Sequence, residues 1–185
     1  MKLSDSDRSF LLSIAKKSVE YGAEHHKLIK IDYENCSKKL LDKAAVFVTL
    51  FKDKKLRGCI GSLEPKMSLA ENVVKNAYAA AFEDYRFSSV EKSELSFIEY
   101  HISILNKPEE ILFSSEKDLL KKIRPGIDGL ILEEKNKRAT FLPSVWNSLN
   151  TTTDFLNELK KKAGFTANYF SKTIKVFRYT VENIP

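Results

Sequence analysis

The sequence predicts an α+β fold with a mainly antiparallel sheet and flanking helices. Two stretches, 45–61 and 130–142, each contain two runs of β-branched and aromatic residues joined by a short polar turn, which is typical of β-hairpins. Amphipathic segments with capping residues at their starts lie between and around these hairpins. Hairpins separated by helices favour an antiparallel sheet that is covered by helices.

The length and composition predict one domain over residues 1–185, to which non-contiguous segments add at most a small subdomain. No apolar run approaches the length of a membrane-spanning helix and no secretory leader is found, so we expect a cytoplasmic protein. The two cysteines, Cys36 and Cys59, lack the spacing of a zinc site, and we expect thiols rather than a disulfide. No cofactor-binding motif is found, and neither a cofactor nor a metal is expected.

The net charge of +6 comes mainly from lysines that are scattered along the chain. A nucleic-acid interface would require these lysines to lie together on one surface with aromatic residues between them. Their scatter favours solvated helix faces and turns, Lys160–Lys162 included, although a nucleic-acid partner is not excluded.

The first predicted element is an amphipathic helix over 4–26, which Ser4 or Ser6 caps. The adjacent His25 and His26 near its end point in different directions on a helix and are poor candidates for chelating a metal. An irregular connector over 27–44 follows, with a short helix around 38–41. The inward positions of the long helix are expected to be Phe10, Leu11, Ile14, Ala15, Ser18 and Tyr21.

A hairpin and a central helix come next. We expect a strand over 45–51, a turn over 52–54 and a return strand over 55–61. Ser68 and Glu71 then form a capping-box pattern, and the helix that starts there has so broad an apolar face that it is expected to pack against the sheet.

The chain continues with a polar and aromatic loop at 83–89, for which a salt-bridged turn and a functional loop are equally favoured. A strand over 95–105 has Glu99, His101 and Ser103 on one face, and solvent exposure is favoured over a pocket wall for these three. The remaining elements are a helix over 115–123, the second hairpin, a turn with Trp146 as a core residue, a helix over 151–163 and a strand over 173–181.

The most specialised chemistry lies in Lys55–Gly61. In an unbroken strand Arg57 and Cys59 point to one face, while Gly58 and Gly61 leave space for a bulge, a ligand or another backbone. A guanidinium near a thiol lowers the thiol pKa, and the helix that begins at Ser68 would favour an anion if its start lies near Gly61. The segment therefore suits an activated thiol, or an anion-binding pocket in which Cys59 merely packs.

No candidate base for Cys59 lies close to it in sequence. His101 comes near only if its strand pairs beside the 55–61 strand with the same face outward, which the sequence does not decide.

The segment Leu56–Gly61, LRGCIG, resembles the hallmark motif of the AMMECR family. The resemblance covers residues 5–182 and departs from the family pattern at Tyr85, where many microbial members have proline, and at Ser88-Ser89. It includes Asn76–Phe82 and Asp84–Phe87, similar to a helix and DxRF loop of the family, and also Glu94-Leu95, Ile102–Leu105, Gly126–Leu130, Thr140–Val145 and Leu159–Gly164.

The resemblance implies two unequal α+β parts that meet at a cleft containing the LRGCIG segment, and an association with Memo-like and radical SAM proteins. We therefore expect an enzyme or ligand-binding protein for a small anionic molecule or modified side chain. The alternative to this expectation is a non-catalytic binding or regulatory module for a protein or nucleic-acid partner. The expected site has Cys59 as nucleophile or packing residue, Arg57 as anion anchor, Asp84 as polariser or arginine partner, and Gly58, Gly61 and Arg86 as binding residues.

Overall fold

The computed structural model describes residues 3–32 and 36–185, so that part of the predicted connector lies outside the described residues. The chain divides into two compact units, one formed by residues up to Leu105 with Glu182–Pro185, the other by Asn106–Val181. Each unit has helices, an antiparallel sheet and its own hydrophobic core. The α+β prediction is confirmed, whereas a cleft between the two parts stays a prediction.

The elements follow the chain in the order that the hydrophobic pattern predicts. Two short 3₁₀ helices, Lys92–Phe97 and Pro143–Asn147, interrupt them. The helices are α1 (Asp5–His25), α2 (Lys38–Leu41), α3 (Leu69–Phe82), α4 (Glu116–Lys122) and α5 (Thr152–Lys162). The strands are β1 (Ala45–Lys52), β2 (Lys55–Gly61), β3 (Ile98–Leu105), β4 (Glu109–Glu110), β5 (Gly129–Glu134), β6 (Lys137–Phe141), β7 (Lys175–Tyr179) and β8 (Val181–Ile184).

The first unit has a sheet with the strand order β2-β1-β3-β8, in which β1 runs antiparallel to both β2 and β3. Alternate residues of β1, namely Val46, Val48 and Leu50, are fully buried in the core that α1 and α3 complete. On the opposite face of β1, Phe47, Thr49 and Phe51 are half-buried. Because β2 is at one end of this order, it is an edge strand.

The capping residues act as predicted at both long helices of this unit. The hydroxyl of Ser4 accepts a hydrogen bond from the Asp7 amide at the start of α1, and Ser68 accepts one from Glu71 at the start of α3. In both cases the acidic side chain bonds back to the capping residue. These local contacts explain why both helix starts could be predicted.

Three details of the predicted elements are wrong. Tyr21 is 39% exposed rather than inward, because the neighbouring Gly22 is the position that packs on Tyr78 and Phe82. The strand predicted to start at 95 begins at Ile98, since a 3₁₀ helix occupies the preceding residues. The strand predicted over 173–181 corresponds to β7, which ends at Tyr179, and Val181 at the end of the predicted range already begins β8 in the other sheet.

The second unit has the strand order β4-β7-β5-β6. Trp146 is a core residue as predicted: its ring stacks on Phe155 at 3.9 Å, and its Nε1 donates to the Asp128 carbonyl at 2.8 Å. Lys160 departs from its predicted solvated position. It is fully buried and its Nζ donates to Glu116 and to the Ala167 carbonyl. Among the described residues, no helix is long and apolar enough to span a bilayer.

Candidate functional site

The predicted motif occupies the edge strand β2. Asp53 and Lys54 have φ values of 51° and 61°, the left-handed backbone that a tight two-residue hairpin turn needs. The register then shifts: Leu50 is opposite Gly58 but Phe51 is opposite Leu56, so Arg57 is the additional residue of a β-bulge. The alternation that would have given Arg57 and Cys59 one common face is interrupted between them.

Cys59 lies opposite Thr49 on β1, and the Thr49 hydroxyl donates to the Cys59 sulfur over 3.3 Å. The thiol belongs to the half-buried face of the sheet and is itself half-buried. The arrangement gives the sulfur a hydrogen-bond donor. A thiolate benefits from such a donor because the donor bonds to its charged form.

His101 is on the same face but one strand further away. Thr49 is opposite both Cys59 and His101, so β1 separates the thiol from the imidazole. The two strands that carry Cys59 and His101 are therefore about 10 Å apart, which is too far for a direct hydrogen bond between the thiol and the imidazole. The His101 ring instead meets Phe51 edge-on at 4.9 Å.

The other two residues of this polar row differ in their surroundings. Glu99 is exposed, as favoured from the sequence. Ser103 is half-buried, and its hydroxyl donates to the Asn183 side chain at 2.8 Å.

The loop after α3 closes the free edge of β2 at Cys59. The Cys59 amide donates to Asp84 Oδ2 at 2.9 Å, and Arg86 Nη2 donates to the Cys59 carbonyl at 3.3 Å. A neighbouring strand would otherwise take these two backbone groups. The pair of side chains thus substitutes for a strand at this one residue.

Asp84 and Arg86 also bind each other with two parallel hydrogen bonds. Arg86 Nε donates to Asp84 Oδ1 at 2.9 Å and Nη2 donates to Oδ2 at 2.7 Å. The Arg86 hydrogen bond, with help from the Cys59 amide, lowers the pKa of Asp84 to about 2 despite its burial. The carboxylate raises the pKa of Arg86, and the Cys59 sulfur contributes to that increase. The carboxylate is buried, whereas the Arg86 side chain is 44% exposed.

Arg57 has a different set of partners. Its Nε and Nη2 donate to the two oxygens of Glu94 at 3.1 and 2.9 Å. Its Nη1 and Nη2 also donate to the carbonyls of Ser88 and Ser89 at 2.8 and 3.2 Å. Only 12% of the Arg57 side chain is exposed. Arg57 therefore fastens the 88–94 segment onto β2.

Glu94 is the residue of this surface that sequence reasoning missed. It also accepts from Lys52 Nζ at 2.9 Å, and the Arg57 hydrogen bonds lower its pKa to about 2. One local signal was present: Glu94 follows Glu91 by three residues, and its carboxylate accepts from the Glu91 amide like the acid of a capping box.

The two glycines of the motif have packing partners. A side chain at Gly58 would overlap the backbone carbonyl of Ala80 in α3, and one at Gly61 would overlap the ring of Phe47. Both positions therefore need glycine for the close approach of protein groups. Their predicted ligand contacts stay a prediction.

At Gly58 the motif meets the C-terminal half of α3, where Ala80 lies. The Ser68 and Glu71 amides at the start are already bonded within the capping box. Within residues 3–32 and 36–185 no cluster of three or more His, Cys, Asp or Glu side chains is arranged to hold a metal ion.

Comparison with protein families gives one match over most of the chain: the family model described as AMMECR1 matches residues 12–184. A protein of Saccharolobus islandicus is 43% identical over 130 residues, which are 68% of this chain and 56% of that protein. The chain thus spans little more than half the length of this relative. A protein of Thermofilum pendens is 32% identical, covering 98% of this chain and 90% of its own.

One solved structure covers both units. The crystal structure of an uncharacterized protein from Pyrococcus horikoshii superposes with a TM-score of 0.91 at 31% identity, over 99% of this chain and 93% of that one.

Proposed function

The chain belongs to the AMMECR1 family, and we propose that it binds a small anionic molecule or an anionic modified side chain at Cys59 and Arg86. The observation that carries this proposal is the state of Arg86. Its guanidinium is oriented by Asp84 and by the Cys59 carbonyl, yet the side chain is nearly half exposed beside a half-buried thiol.

Arg86 has the donors for such a ligand. Within the described part of the chain it hydrogen bonds through Nε and Nη2, which leaves the Nη1 hydrogens for an anion. Because the buried Asp84 carboxylate fixes the guanidinium plane, little conformational entropy is lost when a ligand binds. Arg57, which the sequence favours as the anchor, has both edges of its guanidinium in use and would have to release Glu94.

The thiol is the second proposed contact. A positive charge and a hydroxyl donor beside a sulfur both favour the thiolate, the form that contacts electrophiles and acts as a nucleophile. Thr49 supplies the donor at 3.3 Å, and the guanidinium of Arg86, paired with Asp84, bonds to the Cys59 carbonyl. We assign no reaction to this thiol, and the association with Memo-like and radical SAM proteins stays a prediction.

A binding module for a protein partner is the second candidate. Tyr85, between Asp84 and Arg86, is 95% exposed, and Leu56 at the start of the motif is exposed as well. Large apolar side chains exposed beside ordered polar groups are typical of protein-binding surfaces. In this case Tyr85→Ser would abolish partner binding and leave the binding of small anions unchanged.

The proposal is tested by protection of Cys59 from iodoacetamide. Inorganic phosphate, used as the probe anion, is expected to slow alkylation of Cys59 and to leave Cys36 unaffected, with each cysteine followed by peptide mass spectrometry. Arg86→Gln should remove the protection, because the Nη1 donors are lost. Equal protection of both cysteines, or full protection in Arg86→Gln, would contradict the proposal.

Lys66→Gln is the matched control. Lys66 is an exposed cation whose ion pair with Glu64 lies on the surface, so its loss changes the net charge by the same amount. This variant should keep the phosphate protection of Cys59. Loss of protection here would mean that the overall charge, and not Arg86, attracts the anion.

A further inference from the structure

The positive charge of the chain is concentrated in the second unit. Residues 106–181 contain 14 Lys and Arg and 9 Asp and Glu. Their net charge is therefore +5, out of +6 for the whole chain. The first unit is close to neutral. A charge excess confined to one unit indicates a polyanionic partner for that unit more directly than a uniform excess would.

Many of these cations lie together around the turn between β5 and β6. Lys137 and Arg138 begin β6, and Lys175 and Arg138 are both opposite Glu133. Lys172 lies between Ser171 and Thr173, whose hydroxyls both bond to Glu134 at the end of β5. We call this surface the basic edge, and it comprises the exposed side chains of Lys135, Lys137, Arg138, Lys162, Lys172 and Lys175.

Two acids, Glu133 and Glu134, lie at the basic edge and offset only part of the charge of its six cations. Glu133 is half-buried and pairs with Arg138 at 2.8 Å. Glu134 is almost fully buried, and Tyr169, Ser171 and Thr173 all donate to its Oε1. Lys137 is held by neutral groups, the Gly164 carbonyl at 2.6 Å and the ring of Phe165, so its contacts leave its charge available.

Aromatic rings alternate with the cations. Lys137 Nζ lies 4.4 Å from the centre of the Phe165 ring, which stacks on Tyr169 at 4.3 Å. Lys162 Nζ lies 5.1 Å from the Phe141 ring and donates to the Thr140 carbonyl of β6. All three rings are half-buried rather than enclosed. Cations beside partly exposed rings are the combination that binds phosphates and unpaired bases.

We propose that the basic edge is a binding surface for single-stranded nucleic acid. Its cations contact the phosphates along β6 and the β5–β6 turn, and the neighbouring rings contact bases. A duplex would use the charge but not the rings, which is why the single strand is favoured. The scattered lysines of the sequence are therefore in part gathered by the fold onto one surface.

The test measures the affinity of the full chain for a fluorescent oligouridylate of about 20 nucleotides as the salt concentration is raised. The logarithm of the affinity should fall linearly with that of the salt concentration, by about 0.7 per phosphate contacted. The triple variant Lys135→Gln/Lys172→Gln/Lys175→Gln should bind at least about tenfold more weakly, and its slope should be shallower by about 2.

The control variant Lys17→Gln/Lys27→Gln/Lys30→Gln removes three exposed cations from the first unit. It should retain the parent affinity and slope. Equal weakening by both triple variants would overturn the proposal, as would affinity for duplex DNA or anionic vesicles in the absence of oligouridylate binding. Circular dichroism of both variants checks that they are folded.

Discussion

Arg57, which lies within the motif, and Arg86, which bonds to the motif at Cys59, have different roles. Arg57 is almost enclosed by Glu94 and two loop carbonyls, whereas Arg86 keeps nearly half of its side chain in solvent. Residue type and spacing indicated that both matter, but not which one is enclosed, because the partner Glu94 is 37 residues away from Arg57.

Replacing Glu94 tests the structural role of Arg57. We expect Glu94→Gln to lower the free energy of unfolding by about 2–4 kcal/mol, because it leaves a poorly exposed guanidinium without its charged acceptor. Urea denaturation measures this change. Glu64→Gln, which removes the charge of the exposed pair with Lys66, should change the free energy by less than about 0.5 kcal/mol. If both variants have equal stability, Arg57 does not depend on Glu94.

Gly58 tests the close approach of β2 and α3. We expect Gly58→Ala to destabilise the fold by at least about 2 kcal/mol, since the new methyl group overlaps the Ala80 carbonyl. Gly126→Ala is the contrasting variant: it has open space around it but a φ of +74°, and it should cost about 1 kcal/mol. Thermal unfolding of the two variants distinguishes them. A tolerated Gly58→Ala would show that the strand and helix are not in tight contact.

At the scale of elements, the loop that follows α3 completes the sheet edge at Cys59. The hairpin, the two capped helices and the identity of the loop could be predicted, because turn residues, caps and hydrophobic periodicity are all local. The hydrogen bonds of Asp84 and Arg86 to the edge of the sheet could not be predicted, because they depend on the position at which the 14-residue helix α3 ends. The bulge at Arg57 is also a property of pairing rather than of β2 alone.

Hydrogen exchange of single amides tests the edge contact. In Asp84→Ala the Cys59 amide loses its acceptor at the sheet edge, and we expect its exchange to accelerate at least about tenfold. The Ser62 amide, which donates to the Val46 carbonyl within the hairpin, should keep its exchange rate. Unchanged exchange at Cys59 would mean that another group protects this amide.

The two carboxylates that attach this loop and the following segment predict an acid dependence. Both have pKa values lowered to about 2, from 3.8 for Asp84 and 4.5 for Glu94, so folding favours their charged forms. Each contributes on the order of 2–3 kcal/mol that is fully present above about pH 5 and is lost as the pH falls towards 2. Urea midpoints measured from pH 7 to pH 2 should show this loss.

The double variant Asp84→Asn/Glu94→Gln serves as the reference for that titration. It should be less stable than the parent at pH 7, and its urea midpoint should change less on acidification. A parent and a variant with parallel acid profiles would show that other carboxylates are responsible.

On the scale of the whole molecule, the chain forms two units with separate sheets and cores, a division that composition did not reveal. No Gly- or Pro-rich linker marks it, and the chain passes from β7 to β8 through Thr180 alone. The strand predicted over 173–181 runs across this junction because no glycine or proline stands between Tyr179 and Val181. Five of the six net positive charges lie in the contiguous residues 106–181, and a charge count by segment shows this excess once the boundary of the unit is known.

The central claim is that Arg86 makes the surroundings of Cys59 attractive to anions. The most direct test compares the alkylation rates of Cys59 and Cys36 in one sample, with the anion iodoacetate and with neutral iodoacetamide. Burial and the nearby Asp32 raise the pKa of Cys36. This thiol therefore serves as a reference that lies beside a negative charge rather than a positive one. We predict that the ratio of the iodoacetate rate to the iodoacetamide rate is higher at Cys59 than at Cys36. In Arg86→Gln the ratio at Cys59 should fall. Equal ratios at both cysteines, or a Cys59 ratio that Arg86→Gln leaves unchanged, would contradict the claim.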